Sequence, residues 1–201
     1  MQILTLILLI LSWLDYFPSA DINYSADQEV WLVSASSSLR VDGKTNINSF
    51  NCVVSSYGKI DTLICDLNKS GLPYYKINSI LEIPVVNFDC HHNIMTKDLQ
   101  KTLKMKEYPS MLIDIKSLNK LPKEAVGGYS LGEVKIFLAG TNKTYSIQFS
   151  GKNYINQIEF VGSKTILFSD FGLKPPSKLG GAIKVKDELD VEVRLYLKRA
   201  D

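Results

Sequence analysis

The chain predicts an all-β protein, an antiparallel sandwich or barrel carrying one short helix between strands. Two observations carry that expectation. From Glu29 onwards, short runs of alternating apolar and polar residues recur, separated by Gly, Asn or Asp, and strands at this spacing build sandwiches or barrels. One intervening segment, "NIMTKDLQKTLKMKEYP", instead repeats its apolar residues at helical intervals.

The N-terminus precedes that pattern. Ile3 to Leu14 is an apolar run followed by "DYFPSA", which reads as a secretory signal over residues 1–20 with cleavage after Ala20. The run is shorter than the roughly 20 residues a membrane-spanning helix needs. Export to the periplasm or the medium is expected, with retention as an anchor the alternative. Residues 21–201 then form one domain, long enough at 45% hydrophobic content to bury a sizeable core. The formal net charge is +2 and the lysines are scattered, so no basic face suits nucleic acid. Neither length nor composition decides between a monomer and a homodimer.

The first strands fall in "EVWLVSASSSLRVDGKTNINSFNCVV", with apolar positions at Trp31, Val33, Leu39, Val41, Ile47 and Phe50. Asp42-Gly43 is a turn pair and is expected to separate two of them. "SILEIPVVNF" follows, where Pro84 suggests an edge or a bulge. In the helical segment Met95, Leu99 and Leu103 form one stripe, Thr96 is expected to cap its start, and Pro109 to stop it. The lysines of "KDLQKTLKMKEY" form its solvated face, with transient contact to a membrane surface as the alternative. Such a helix could serve as a lid or plug. "GLKPPSKLGG" reads as a long hairpin connection. The final run alternates most clearly, with Leu189, Val191, Val193, Leu195 and Leu197 on one face.

Three motifs could carry chemistry. "GYSLG" matches the nucleophile-elbow pattern, but an alternating strand follows it, and His91 and His92, the histidines of the chain, precede it. Without a placed base the serine stays weakly nucleophilic. "DCHH" offers adjacent metal-ligand types, yet neighbours on an extended chain point to opposite sides, and zinc or copper sites space their ligands more widely. Neither a catalytic nor a metal site is expected. The three cysteines of an exported chain favour a disulfide. With Gly71 at the centre of a long hairpin, Cys52 falls opposite Cys90 and Cys65 faces Ile77. A tight turn at Gly58-Lys59 would instead oppose Cys52 to Cys65. The first pairing is preferred, because it provides "SILEIPVVNF" with a partner strand.

Four stretches in order resemble the YceI-like family: "GKTNINSFNC", "IPVVNFDCHHNIMTKDLQKTLKMKEYPSMLIDI", "GEVKIFLAGTNKTYSIQF" and "FSDFGLKPP…GGAIKVKDELDVEVRLYL". The last carries the Asp-Phe-Gly-Leu and Pro-Pro pairs of the Bacteroidetes-type variants. The resemblance implies an exported, lipocalin-like antiparallel β-barrel that binds a polyisoprenoid or another long amphiphilic lipid. It implies neither enzymatic activity nor a cofactor. "TKDLQ" replaces the family's Arg-x-x-His-Leu pattern, so no head-group contact carries over to this chain. An eight-strand barrel has room for one small ligand, and the expected apolar lining is Phe88, Leu99, Leu103, Phe137, Ile147, Phe149, Phe160, Phe168 and Phe171. The alternative is a structural barrel filled by its own side chains.

Overall fold

The computed structural model describes residues 25–200. The expected signal segment and its cleavage point lie outside these residues.

Alternation becomes strand wherever polar turns bound it. The strands are β1 (Gln28–Val33), β2 (Ser38–Thr45), β3 (Ser49–Val54), β4 (Asp61–Asp66) and β5 (Tyr75–Pro84). Helix α1 (Asn93–Thr102) comes next, then β6 (Ser110–Leu118), β7 (Tyr129–Leu138), β8 (Thr141–Tyr154) and β9 (Gln157–Leu167). The short β10 (Ser177–Lys178) and the long β11 (Ile183–Arg199) end the chain. Neighbouring strands pair antiparallel in the order β1-β4-β5-β6-β7-β8-β9-β11, and β11 pairs back to β1. The result is a closed antiparallel barrel of eight staves.

Two staves are broken strands. β11 pairs with β2 over its first part and with β1 at its end, so β1 and β2 together make one stave. β3 pairs with β2, and β4 with β1, making the next. That second stave and β5 keep one hairpin register throughout. Cys65 lies opposite Ile77 and Val53 opposite Asp89, as the count from Gly71 predicts. The disulfide is Cys52–Cys90 and Cys65 is a buried free thiol. The tight turn at Gly58-Lys59 does not form.

Asp42-Gly43 is not a turn. Both residues lie inside β2, and the chain reverses at Asn46–Asn48, where the Thr45 side chain accepts from the Ile47 and Asn48 backbone N–H groups. Glycine is needed at position 43 for another reason. The Phe50 ring lies directly over it, and a Cβ there would sit 2.3 Å from the ring. Pro84 marks no bulge, and it lies where β5 is paired on its β6 side alone, as an edge position would be. It is the last residue of β5, paired with Ser110, and the register shift lies between Lys76 and Ser79. The segment "GLKPPSKLGG" does connect two strands, β9 and β11, with β10 folded back on β11.

The barrel has one filled end. Trp31, Leu63, Leu118, Phe160 and Leu197 are all buried there, beneath a 3-10 turn at Pro122–Ala125 whose Ala125 is fully enclosed. Glu29 is buried at this end and is fully engaged. Lys123 Nζ lies 2.5 Å from Glu29 Oε2, Arg199 approaches at 3.7 Å, and Trp31 Nε1–H donates to Glu29 Oε1.

Candidate ligand-binding site

The other half of the barrel encloses a small cavity. A cavity of about 60 Å³ lies between the inner faces of β2, β5–β9 and β11. Its floor is Phe149. This ring stacks on Phe160 at 4.8 Å with an interplanar angle of 3°, and Phe160 lies beneath it, outside the cavity. Phe149 fits because Gly162, its cross-strand partner, has no side chain. A Cβ at position 162 would meet the ring at 2.4 Å.

Helix α1 covers the mouth. Two side chains hold its entry, one from the preceding loop and one from the helix: Asp89 Oδ1 accepts from the His91 N–H, and Thr96 Oγ1 accepts from the Cys90 N–H. His92 occupies the N-cap position without a side-chain cap, and Thr96 stands one turn further in. The expected Thr96 cap is thus a brace for the disulfide loop. The helix also stops before Pro109. Thr102 is its last residue, and Lys104 turns left-handed at φ 53°. Leu99 and Leu103 are buried and Met95 is half-buried, as the stripe predicts.

Outside the helix lies a second space, a groove of about 260 Å³. Phe50, Met95, Leu99, Phe168 and Val185 line it, together with Ile47 and Ile94, which are more than half exposed. Leu99 lines both spaces, so this one side chain stands between cavity and groove. Lys178 ties the β9–β11 connection to the helix through Asp98, at 2.7 Å.

The expected lining divides accordingly. Phe88, Leu99, Leu103, Ile147 and Phe149 face the cavity. Phe168 lines the outer groove instead. Phe160 and Phe171 are buried without reaching either space, Phe160 under the floor and Phe171 against Tyr145 with ring centroids 6.4 Å apart. Phe137 points away from the interior, because Val134, Ile136 and Leu138 hold the inward phase of β7. Lys135 Nζ lies 4.9 Å from its ring. Most of the wall is aliphatic, from Leu39 and Val41 to Ile113 and Ile166. A strict period-two reading of each strand finds these residues, whereas weighting aromatic side chains does not.

The remaining motifs hold no reactive arrangement. Ser130 of "GYSLG" is fully buried at the start of β7, and its hydroxyl donates to the Lys120 carbonyl at 2.7 Å. Burial, reinforced by the nearby Glu29 carboxylate, pushes the Cys65 thiol up to about 12, so it stays protonated. His91 and His92 are exposed. Among the described residues no three His, Cys, Asp or Glu side chains are grouped to hold a metal ion.

A closed antiparallel barrel, packed at one end and holding a small cavity under a helix at the other, is a lipocalin-like architecture. Solved structures define it further. BcnA of Burkholderia cenocepacia superposes with a TM-score of 0.60 at 16% identity, covering 82% of this chain and 98% of its own. A polyisoprenoid binding domain from Saccharophagus degradans superposes at 0.59 with 12% identity, covering 85% and 98%. The Campylobacter jejuni YceI protein gives 0.50 at 15%, covering 69% and 80%. The chain has the YceI-like fold. No family model and no curated protein matches its sequence.

Proposed function

We propose that this protein is an exported carrier or sequestering protein, not an enzyme, which holds a polyisoprenoid or another long amphiphilic lipid in its barrel. One observation carries the reading: an apolar cavity and an apolar mouth groove share the wall residue Leu99, beneath a helix. Sites for small apolar ligands are concave and mostly hydrophobic, with few polar groups. A long chain would occupy both spaces, since the inner cavity alone is small. The exposed apolar rim, with Ile47, Ile94 and Leu179, suits brief contact with a membrane during loading. A periplasmic or extracellular site agrees with the disulfide. The polyisoprenoid-binding neighbour supports this ligand class by its fold.

The filled end and the modest inner volume favour a second reading, a structural barrel that binds nothing. Native mass spectrometry of protein purified from its own host separates the two. The carrier reading expects a one-to-one complex whose extra mass leaves with organic extraction. Protein that emerges bare, and that takes up no added isoprenol, belongs to the second reading.

A further inference from the structure

Lys164 is the one residue of the cavity wall, among the described residues, whose side chain carries a polar or charged group. Its place is set by the sheet. Along β9 the inward positions are Ile158, Phe160, Gly162, Lys164 and Ile166, and Val191 of β11 lies directly opposite Lys164. Ile147 and Val191 line the same cavity, so an aliphatic residue would fit this position equally well. The contrast with Glu29 is informative. That inward charge is paired at the filled end, whereas Lys164 forms no ion pair among the described residues. Lys164 is half-buried, its stem lies along the cavity wall, and its ammonium has no protein partner among the described residues.

We propose that the missing partner is the ligand: Lys164 is the counter-charge for an amphiphile with an acidic head group, a carboxylate or a phosphate monoester. The inference rests on the lipid-holding reading and narrows it. An ammonium ion binds either anion as a compact point charge, so the shared chemistry is a single acidic group on a long apolar chain. The barrel then selects the acid over the corresponding alcohol.

The test uses lipid-stripped protein and two matched pairs of probes, palmitic acid with hexadecanol and geranylgeranyl monophosphate with geranylgeraniol. Affinities are measured by calorimetry for the wild type, Lys164→Met, Lys164→Gln and Lys164→Arg, with melting midpoints recorded alongside. The wild type is expected to bind at least one acid about tenfold more tightly than its alcohol, the scale of one charge-assisted hydrogen bond. The preferred pair identifies the head group. Lys164→Met and Lys164→Gln should erase the preference while alcohol binding persists, and Lys164→Arg should keep it. The two neutral variants guard against one failing to fold. Equal binding of acid and alcohol by the wild type, or a preference that survives both neutral variants, overturns the inference and leaves the carrier reading standing. Lys164 would then merely extend its stem along the wall towards water. Binding of none of the four probes overturns both.

Discussion

At the scale of single residues, the cavity exists because one side chain is absent. Phe149 reaches across the barrel only because Gly162 stands opposite it, and Gly132 leaves room on the other flank, where a Cβ would lie 3.0 Å from the same ring. Stacked on Phe160, this ring divides packed core from open space. A methyl group at position 162 would have to displace an aromatic side chain held from below. Gly162→Ala is therefore expected to destabilise the fold by about 1 to 3 kcal/mol, the usual range for overpacking a well-filled interior. Shortening the ring in Gly162→Ala/Phe149→Leu should recover part of that loss. Thermal melts of the wild type, Gly162→Ala, Phe149→Leu and the double variant decide it; additive losses in the double variant would mean that the ring is not the obstacle.

At the scale of elements, α1 packs over the mouth of the cavity with Leu99 and Leu103 buried beneath it. Its buried stripe faces space, and its outer side is tied by the ion pair between Asp98 and Lys178. A leucine packed on all sides costs about 2 to 5 kcal/mol when cut to alanine, in proportion to the void it leaves. Leu197, wholly enclosed at the filled end, should show that cost. Leu99 borders two open spaces, so Leu99→Ala should lower the melting midpoint less and, if the proposed carrier function holds, shed bound lipid faster. Comparison of midpoint and lipid off-rate in the two variants tests this. If Leu99→Ala melts as early as Leu197→Ala with lipid release unchanged, the helix is a packing element and does not gate.

At the scale of the whole molecule, the barrel has a thin seam. Below, β4 pairs with β5 in an ordinary ladder. Towards the mouth, β3 reaches the β5 side through two backbone hydrogen bonds only, Val53 N–H to the Asp89 carbonyl at 2.8 Å and Asp89 N–H to the Val53 carbonyl at 2.9 Å. The Cys52–Cys90 disulfide lies beside them and spans 38 residues. Loop closure of that length stabilises by about 4 kcal/mol in the chain-entropy model. Cys52→Ala/Cys90→Ala should lose stability on that scale, and its amide exchange should accelerate first at Val53 and Asp89. Uniform acceleration around the barrel would show that the bridge constrains only the unfolded chain and does not hold the seam.

The sequence by itself determined the elements and much of their pairing. Period-two alternation marks strands because successive side chains point to opposite faces, so the inner face of β11 is read directly. The inner face of β7, where Phe137 is expected, is held instead by Val134, Ile136 and Leu138. The hairpin count from Gly71 located the disulfide for the same reason, since register propagates along a ladder one residue at a time. Tertiary structure alone decided which buried residues line space and which fill it. Phe149 and Phe160 share the inward face of adjacent strands, yet only Phe149 borders the cavity, because the plug under Phe160 comes from the distant Pro122–Ala125 turn. Asp42-Gly43 reads as a turn until Phe50, on the neighbouring strand, claims the space above the glycine. Burial depends on what a closed sheet brings together from distant parts of the chain, and no local pattern contains that distance.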